Sequence, residues 1–173
     1  MPIVLWIFAF SALALTGAIF GFFYAWVCST MWGLDVAEPR VAVAAMQAMN
    51  ASVRNIVFAP AFFGTPIALA LTALLAGLTR RPAAASAFGA AALVYAVGGL
   101  YLTLSVNVPM NEALAAEGAV TDPDRAQAIW AAYSPRWQLF NQIRTAASGI
   151  ALLLTGLGLV FLGRRTQATM IVS

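Results

Sequence analysis

Charge is confined to four stretches of this chain, and that distribution constrains the fold more than any motif. The nine basic and six acidic side chains fall at Asp35, Glu38, Arg40 and Arg54; at Arg80 and Arg81; from Glu112 to Arg144; and at Arg164 and Arg165. Uncharged runs fill the rest: Met1 to Leu34, Asn55 to Thr79, Pro82 to Asn111 and Thr145 to Gly163. A helix rises ~1.5 Å per residue, so about 20 apolar residues cross a bilayer, and each run is of that order. Lipid offers backbone groups no hydrogen-bond partner, and a helix satisfies its own. The expected fold is therefore an all-α integral membrane protein. It is a four-transmembrane-helix bundle, one membrane domain over residues 1–173, with spans at about 4–28, 56–78, 84–106 and 136–162. A composition with 62% hydrophobic and 9% charged residues agrees, since soluble domains carry roughly 25% charge.

The segments "TRRP" and "GRR" hold Arg80, Arg81, Arg164 and Arg165 with no acid, whereas residues 35–54 are neutral overall and residues 112–144 carry a net −1. Cytoplasmic loops are enriched in Arg and Lys, so both termini are expected in the cytoplasm, in a bacterial inner membrane. Residues 1–18 lack a basic leader and run on apolar through "GAIFGFFYAWV", which reads as a retained span rather than a signal peptide. The basic balance is thus a topology signal; with no Lys and no basic stripe, nucleic acid is not an expected partner. A lone cysteine, Cys28, excludes an internal disulfide.

Short amphipathic helices are expected in both outer-side loops. In "EPRVAVAAMQAMNASVRN" Gln47, Asn50 and Arg54 share one face at helical spacing, and Met46, Met49 and Val53 another. Asp122 and Pro123 form an N-cap and first-turn pair, and Ser134–Pro135 repeat that signal as the start of the fourth helix. Gly17 and Gly21 have the G-x-x-x-G spacing of close helix packing, read as internal to the bundle. Pro60 and Pro66 either kink the second span around a cavity or are satisfied by neighbouring helices. Pro109, in "NVPMNEALA", is expected to end the third span, leaving Asn107 at the helix exit and Asn111 just beyond. The order span, outer helix, span then repeats as a weak internal duplication.

Polar residues gather on one side of the membrane. Trp137, Asn141, Arg144 and Ser148 recur at i, i+4, i+7 and i+11, one face of the fourth helix, and Trp130 and Tyr133 precede them on a common face. About 20 residues before Arg164, Arg144 sits at the outer edge of the hydrocarbon. An ionisable residue there is a functional candidate; the alternative is an arginine that snorkels to the interface. Asn107 and Asn111 are either ligand donors or groups that satisfy loose backbone at a helix break.

The chain has no histidine. Histidine-ligated haem, histidine-based metal sites and a histidine general base are thereby excluded. No metal or organic cofactor is expected; a copper site on Met31, Met46, Met49 and Met110 is the alternative, since thioethers suit Cu(I).

The segments "AAMQAMNASVRN", "FFGTP" and "NVPMNEALA", with Trp130, Tyr133, Trp137, Asn141, Arg144 and Thr145 at their spacings, resemble the anthrone-oxygenase-like family of small four-span membrane proteins. The resemblance covers nearly the whole chain. It implies oxidation of an activated aromatic ketone of polyketide type by O₂, an activity attributed to fungal members. In the site expected from residue type and inferred topology, Trp130, Tyr133 and Trp137 bind a flat hydrophobic aromatic ligand, with Asn111, Gln47, Asn50 and Arg54 around it. Arg144, Asn141 and Asn107 stabilise an enolate oxygen, and Glu112 or water accepts the proton. The competing readings are a non-enzymatic accessory subunit with a membrane-protein partner or a homo-oligomer, and a carrier of a lipophilic molecule.

Overall fold

The computed structural model describes residues 3–164; Arg165, counted above among the inner charges, lies outside them. Helix α1 (Ile3–Ala25) passes through a π-helical turn (Trp26–Thr30) into α2 (Met31–Asp35). After a short bend come α3 (Pro39–Ser52) and α4 (Phe58–Leu78). Helix α5 (Pro82–Tyr95) continues through two π turns (Ala96–Tyr101 and Thr103–Asn107) into α6 (Val108–Ala116), and α7 (Pro123–Gly163) ends the fold. Four helical stretches are long and apolar enough to cross a membrane: Ile3–Asp35, Phe58–Leu78, Pro82–Ala116 and Pro123–Gly163. The protein is an integral membrane four-helix bundle with no strand among the described residues. Short helices cap the end that carries the long loops.

The four spans form a ring in which α1 packs against α4 and α7, and α5 against α4 and α7. Lipid tails are as apolar as leucine, so such a bundle is held by close packing and internal hydrogen bonds rather than by expulsion of water. The burial pattern follows. Ile7, Phe10, Ile67, Leu74, Leu93, Leu153 and Val160 face outward, whereas Thr16, Thr65, Thr72, Ser148 and Thr155 are buried between helices. Each buried hydroxyl returns its hydrogen bond to the carbonyl four residues earlier, as Thr16 does to Ala12 at 2.6 Å and Thr155 to Ala151 at 2.7 Å.

Small residues set the closest approaches. A Cβ on Gly98 would lie 2.5 Å from the Ala147 Cβ, so α7 crosses the π turn there with no room for a methyl group. Gly158 likewise receives the Phe88 ring and Gly99 the Tyr95 ring. The Gly17/Gly21 pair behaves differently: Gly17 is in ordinary contact with Leu152 and Gly21 has nothing within 4 Å, so this spacing marks no close crossing.

Prolines depart most from the local rules. Pro60 lies in the first turn of α4, where its missing N–H has no helical partner to lose. Pro66, inside α4, frees the Phe62 carbonyl, and the buried Tyr95 hydroxyl on α5 donates to that oxygen at 2.9 Å. Here the satisfied-proline reading holds. Tyr95→Phe should lower stability by about 1–3 kcal/mol, the cost of a buried unpaired carbonyl. In a Pro66→Ala background, where a backbone N–H can fill the role, the same change should cost clearly less. Thermal unfolding of the four proteins in detergent checks the cycle.

Two expected breaks do not occur. Pro109 does not end the third span: the helix runs on to Ala116. The turn before it already bonds five residues back, Val108 N–H to the Thr103 carbonyl, and this wider register absorbs a residue that can donate nothing. Pro135 does not start a new helix either: α7 is continuous from Pro123, and the Ser134 hydroxyl that resembled a cap donates instead to Asp35 at 2.6 Å. The true start is the other signal, where Asp122 accepts from the Arg125 N–H at 2.7 Å with Pro123 at the first helical position. Helix α3 opens on Glu38, whose carboxylate accepts from the Val41 N–H. The hydrogen-bonded Arg40 guanidinium holds that carboxyl below the usual carboxylate range.

Candidate functional site

At the capped end the bundle encloses a cavity of about 550 Å³, within the ~300–1,000 Å³ usual for small-molecule sites. Phe22, Phe23 and Trp26 of the first span, Phe58, Phe62 and Phe63 of α4, and Trp137 of α7 make its wall largely aromatic. The π turns reach it through Trp26, Thr103 and Leu104, and such turns recur at functional sites. Polar atoms are few: Asn50, Arg54, Asn55, Thr103, Asn111, Glu112 and Arg144.

Arg144 is the chemical centre of this wall. Its side chain is buried, with the residue only 5% exposed, so it does not snorkel to an interface. One guanidinium nitrogen donates to the Asn141 Oδ1 at 2.8 Å and another to the Thr103 Oγ1 at 3.3 Å, while Nε–H has no partner. Its Cζ lies 4.6 Å from the Phe23 ring centroid and 5.1 Å from that of Trp137. No carboxylate among the described residues pairs with it. A guanidinium at membrane depth costs about 2.5–3.5 kcal/mol. A charged hydrogen bond of ~1.5–3 kcal/mol and two ring contacts of ~0.5–2 kcal/mol each offset that without neutralising the charge. The result is a fixed cation on the cavity wall, with hydrogen-bonding capacity left over and Nε itself buried and unpaired among the described residues.

The neighbours hold it in place. Asn141 turns its oxygen to Arg144 and its amide N–H to the Phe23 carbonyl at 3.1 Å, so both ends of that side chain are committed. Asn111 Oδ1 accepts from Trp137 Nε1 at 2.9 Å and from the Tyr133 hydroxyl at 2.8 Å, and Asn50 reaches the same hydroxyl at 3.4 Å. Gln47 braces α3 to the end of α6 by donating to the carbonyls of Leu114 and Gly118. Arg54 and Glu112, both well exposed, meet at 3.3 Å across the rim.

Of the residues singled out in the sequence, Arg144, Glu112, Trp137, Asn111, Asn50 and Arg54 line the cavity. Trp130, Tyr133, Asn141, Gln47 and Asn107 do not line it. Trp130 donates to Asp35 rather than facing a ligand. Asn107 is fully buried with neither amide atom paired among the described residues; it lies one turn from both Thr103 and Asn111. An unpaired buried amide costs about 1–3 kcal/mol, so Asn107 is the amide here with most to gain from a new partner. Met31 and Met46 are packed in an apolar cluster with Trp26 and Trp130, with Met49 and Met110 against it. No group of three His, Cys, Asp or Glu side chains converges among the described residues.

Asp35 belongs to no motif in the sequence, yet it anchors one face of α7. It accepts from Trp130 Nε1 at 3.0 Å, Ser134 Oγ at 2.6 Å and Gln138 Nε2 at 2.8 Å, three donors on one face of α7. The available signal was its position as the first charge after 34 uncharged residues, opposite polar side chains spaced by four.

Residues 52–154, more than half of the chain, match the family described as anthrone oxygenase. The chain belongs to the anthrone oxygenase family. The matched region holds α4 to α6 and most of α7, and so includes Arg144, Asn141, Asn107, Asn111, Glu112 and Trp137. No curated protein and no solved structure matches the chain. Membership in the anthrone oxygenase family supports an oxygenase-like role.

Proposed function

We propose that this protein is a membrane-embedded oxidoreductase that uses O₂ to oxidise an activated aromatic ketone of the anthrone type, without a cofactor of its own. The observation that carries the reading is Arg144: a buried guanidinium with no acid partner among the described residues, on the wall of an aromatic cavity. Such a group favours a ligand that is flat, apolar and anionic at one oxygen. An anthrone fits that description once its ring methylene is deprotonated, because the charge moves to the ketone oxygen.

In this reading Arg144 binds that oxygen, with Thr103 beside it, and Asn141 is a positioning residue. Glu112 takes the methylene proton, directly or through a water at the rim. The electron-rich enolate then adds O₂ at the former methylene carbon. The resulting peroxide anion takes back the proton held by Glu112 or its water. The hydroperoxide then loses its remaining C–H proton as the O–O bond breaks, so one oxygen atom stays as the new carbonyl and the other leaves as hydroxide, which takes up that proton as water. Anthrone and O₂ thus give anthraquinone and water. In the bilayer, both termini and the Arg80–Arg81 turn lie on the cytoplasmic side and the cavity on the outer side, following the arginine distribution.

Detergent-purified protein supplied with anthrone, with chelator present and spontaneous oxidation subtracted, should consume O₂ in a one-to-one ratio with anthraquinone formed. Folded protein that does not accelerate the reaction would remove the oxidoreductase reading. Ligand retained without turnover would leave a carrier.

A further inference from the structure

The cavity has an opening, and its rim is of two kinds. The lining residues that are also exposed are Arg54, Asn55, Ile56, Phe63, Leu104 and Glu112. All lie on the segment leading into α4, on α4 itself, or on the facing part of the third span, so they outline a slit between the second and third spans. Helix α4 packs closely along α5 and sparingly against the π turn Ala96–Tyr101. Beyond that turn the two spans are parted by the cavity, which α4 lines with Phe58, Phe62 and Phe63 and the third span with Thr103, Leu104 and Val108.

The end of the slit toward the loops is bridged. Arg54 and Glu112 join across it, Gln47 ties α3 to α6 and the following turn, and Asn50, Tyr133 and Asn111 form a hydrogen-bonded layer beneath. Deeper along the slit only apolar side chains flank it: Phe63 is 49% and Leu104 48% exposed while both line the cavity. Phe63 lies roughly 22 Å along α4 from its inner end at Leu78, at 1.5 Å per residue. That depth is inside the ~30 Å hydrocarbon layer. A polar solute would meet a closed ion pair, whereas a bilayer-dissolved aromatic would meet two hydrocarbon flanks.

We infer that the slit between Phe63 and Leu104 is a lateral portal through which the cavity takes a lipophilic polycyclic aromatic ligand directly from the outer leaflet. The inference rests on the reading that the cavity holds an aromatic ligand, and extends it to where that ligand is dissolved before it binds. A portal controls how fast the ligand comes and goes. It need not control how tightly the ligand is held.

The test uses the full chain in phosphatidylcholine vesicles, with 1-hydroxyanthracene as a probe dissolved in the bilayer and followed by its own emission in stopped flow. Phe63→Cys/Leu104→Cys, in a Cys28→Ser background, is bridged with a short bifunctional methanethiosulfonate. Relative to the same double-cysteine protein left unbridged, association and dissociation should both slow at least tenfold, with affinity within about threefold, and reductant should restore both rates. Phe63→Trp/Leu104→Trp, which narrows the slit without a cross-link, should also slow association. Leu153→Trp, on a lipid-facing site of α7 that is 75% exposed, should bind at the parental rate. Parental rates in the fully bridged protein would overturn the portal while leaving the ligand site in place. No saturable binding by the parent would overturn the ligand reading and the portal with it.

Discussion

Replacing Arg144 with glutamine is expected to lower anthrone turnover by about 100-fold or more, the usual consequence of removing a preorganised oxyanion donor, while leaving a folded, helical, monodisperse protein. Glutamine can retain a hydrogen bond to Asn141 but brings no charge. The loss should appear in kcat more than in KM, because the enolate charge develops only as the reaction proceeds. Loss in KM alone would mean that Arg144 only helps to bind the ground state. Asn141→Ala should produce a smaller loss in the same direction, since it frees the guanidinium from its 2.8 Å anchor without removing it. Steady-state kinetics beside circular dichroism separate these outcomes from misfolding.

The second large effect is structural. Gly98→Ala places a methyl group 2.5 Å from the Ala147 Cβ, an overlap that only a shift of α7 against the third span can relieve. Overpacking of this kind costs about 1–3 kcal/mol, occasionally more. Because Thr103 and Arg144 lie within two turns of that crossing, activity should fall together with the melting temperature. Ala147→Gly in the same chain should recover most of both, because the swap moves the glycine across the crossing and leaves the summed helix propensity about unchanged. An unaltered melting temperature in Gly98→Ala would mean that the two helices do not approach so closely.

The parts that were legible in the sequence are those set by long averages. Charge-free runs located the spans because lipid penalises charge anywhere along a span, and the Trp137, Asn141, Arg144 and Ser148 stripe marked the inner face of the fourth helix because all four are buried. What escaped depends on a single neighbour. Whether Pro66 opens a gap is decided by Tyr95 on another helix, and whether Pro109 ends one by a change of hydrogen-bond register just before it. Ser134 looked like a cap because nothing nearby in sequence announces that Asp35 will accept its hydroxyl. The glycines that matter most carry no spacing motif: Gly98 and Gly158 are each matched to a methyl group or a ring across a helix interface, and Gly99 to the Tyr95 ring one turn back on its own span. Of the residues that line the cavity, Arg54, Arg144, Glu112, Asn50, Asn111 and Trp137 stand out in the sequence, and the phenylalanines do not. The phenylalanines of the first two spans look like ordinary lipid-facing residues until the bundle turns Phe22, Phe23, Phe58 and Phe62 toward one space.

The central claim is that Arg144 stabilises an oxyanion inside an aromatic cavity, and the ionisation of a bound phenol reads that property without turnover. Absorption spectra of 1-hydroxyanthracene bound to the anaerobic protein should show the anion at a pH at least one unit below that needed in detergent alone, a shift worth about 1.4 kcal/mol per unit. The Arg144→Gln complex should show the neutral phenol under the same conditions. A probe that binds the parent tightly yet stays neutral, as it does in the variant, would contradict the assignment of Arg144 as the oxyanion site.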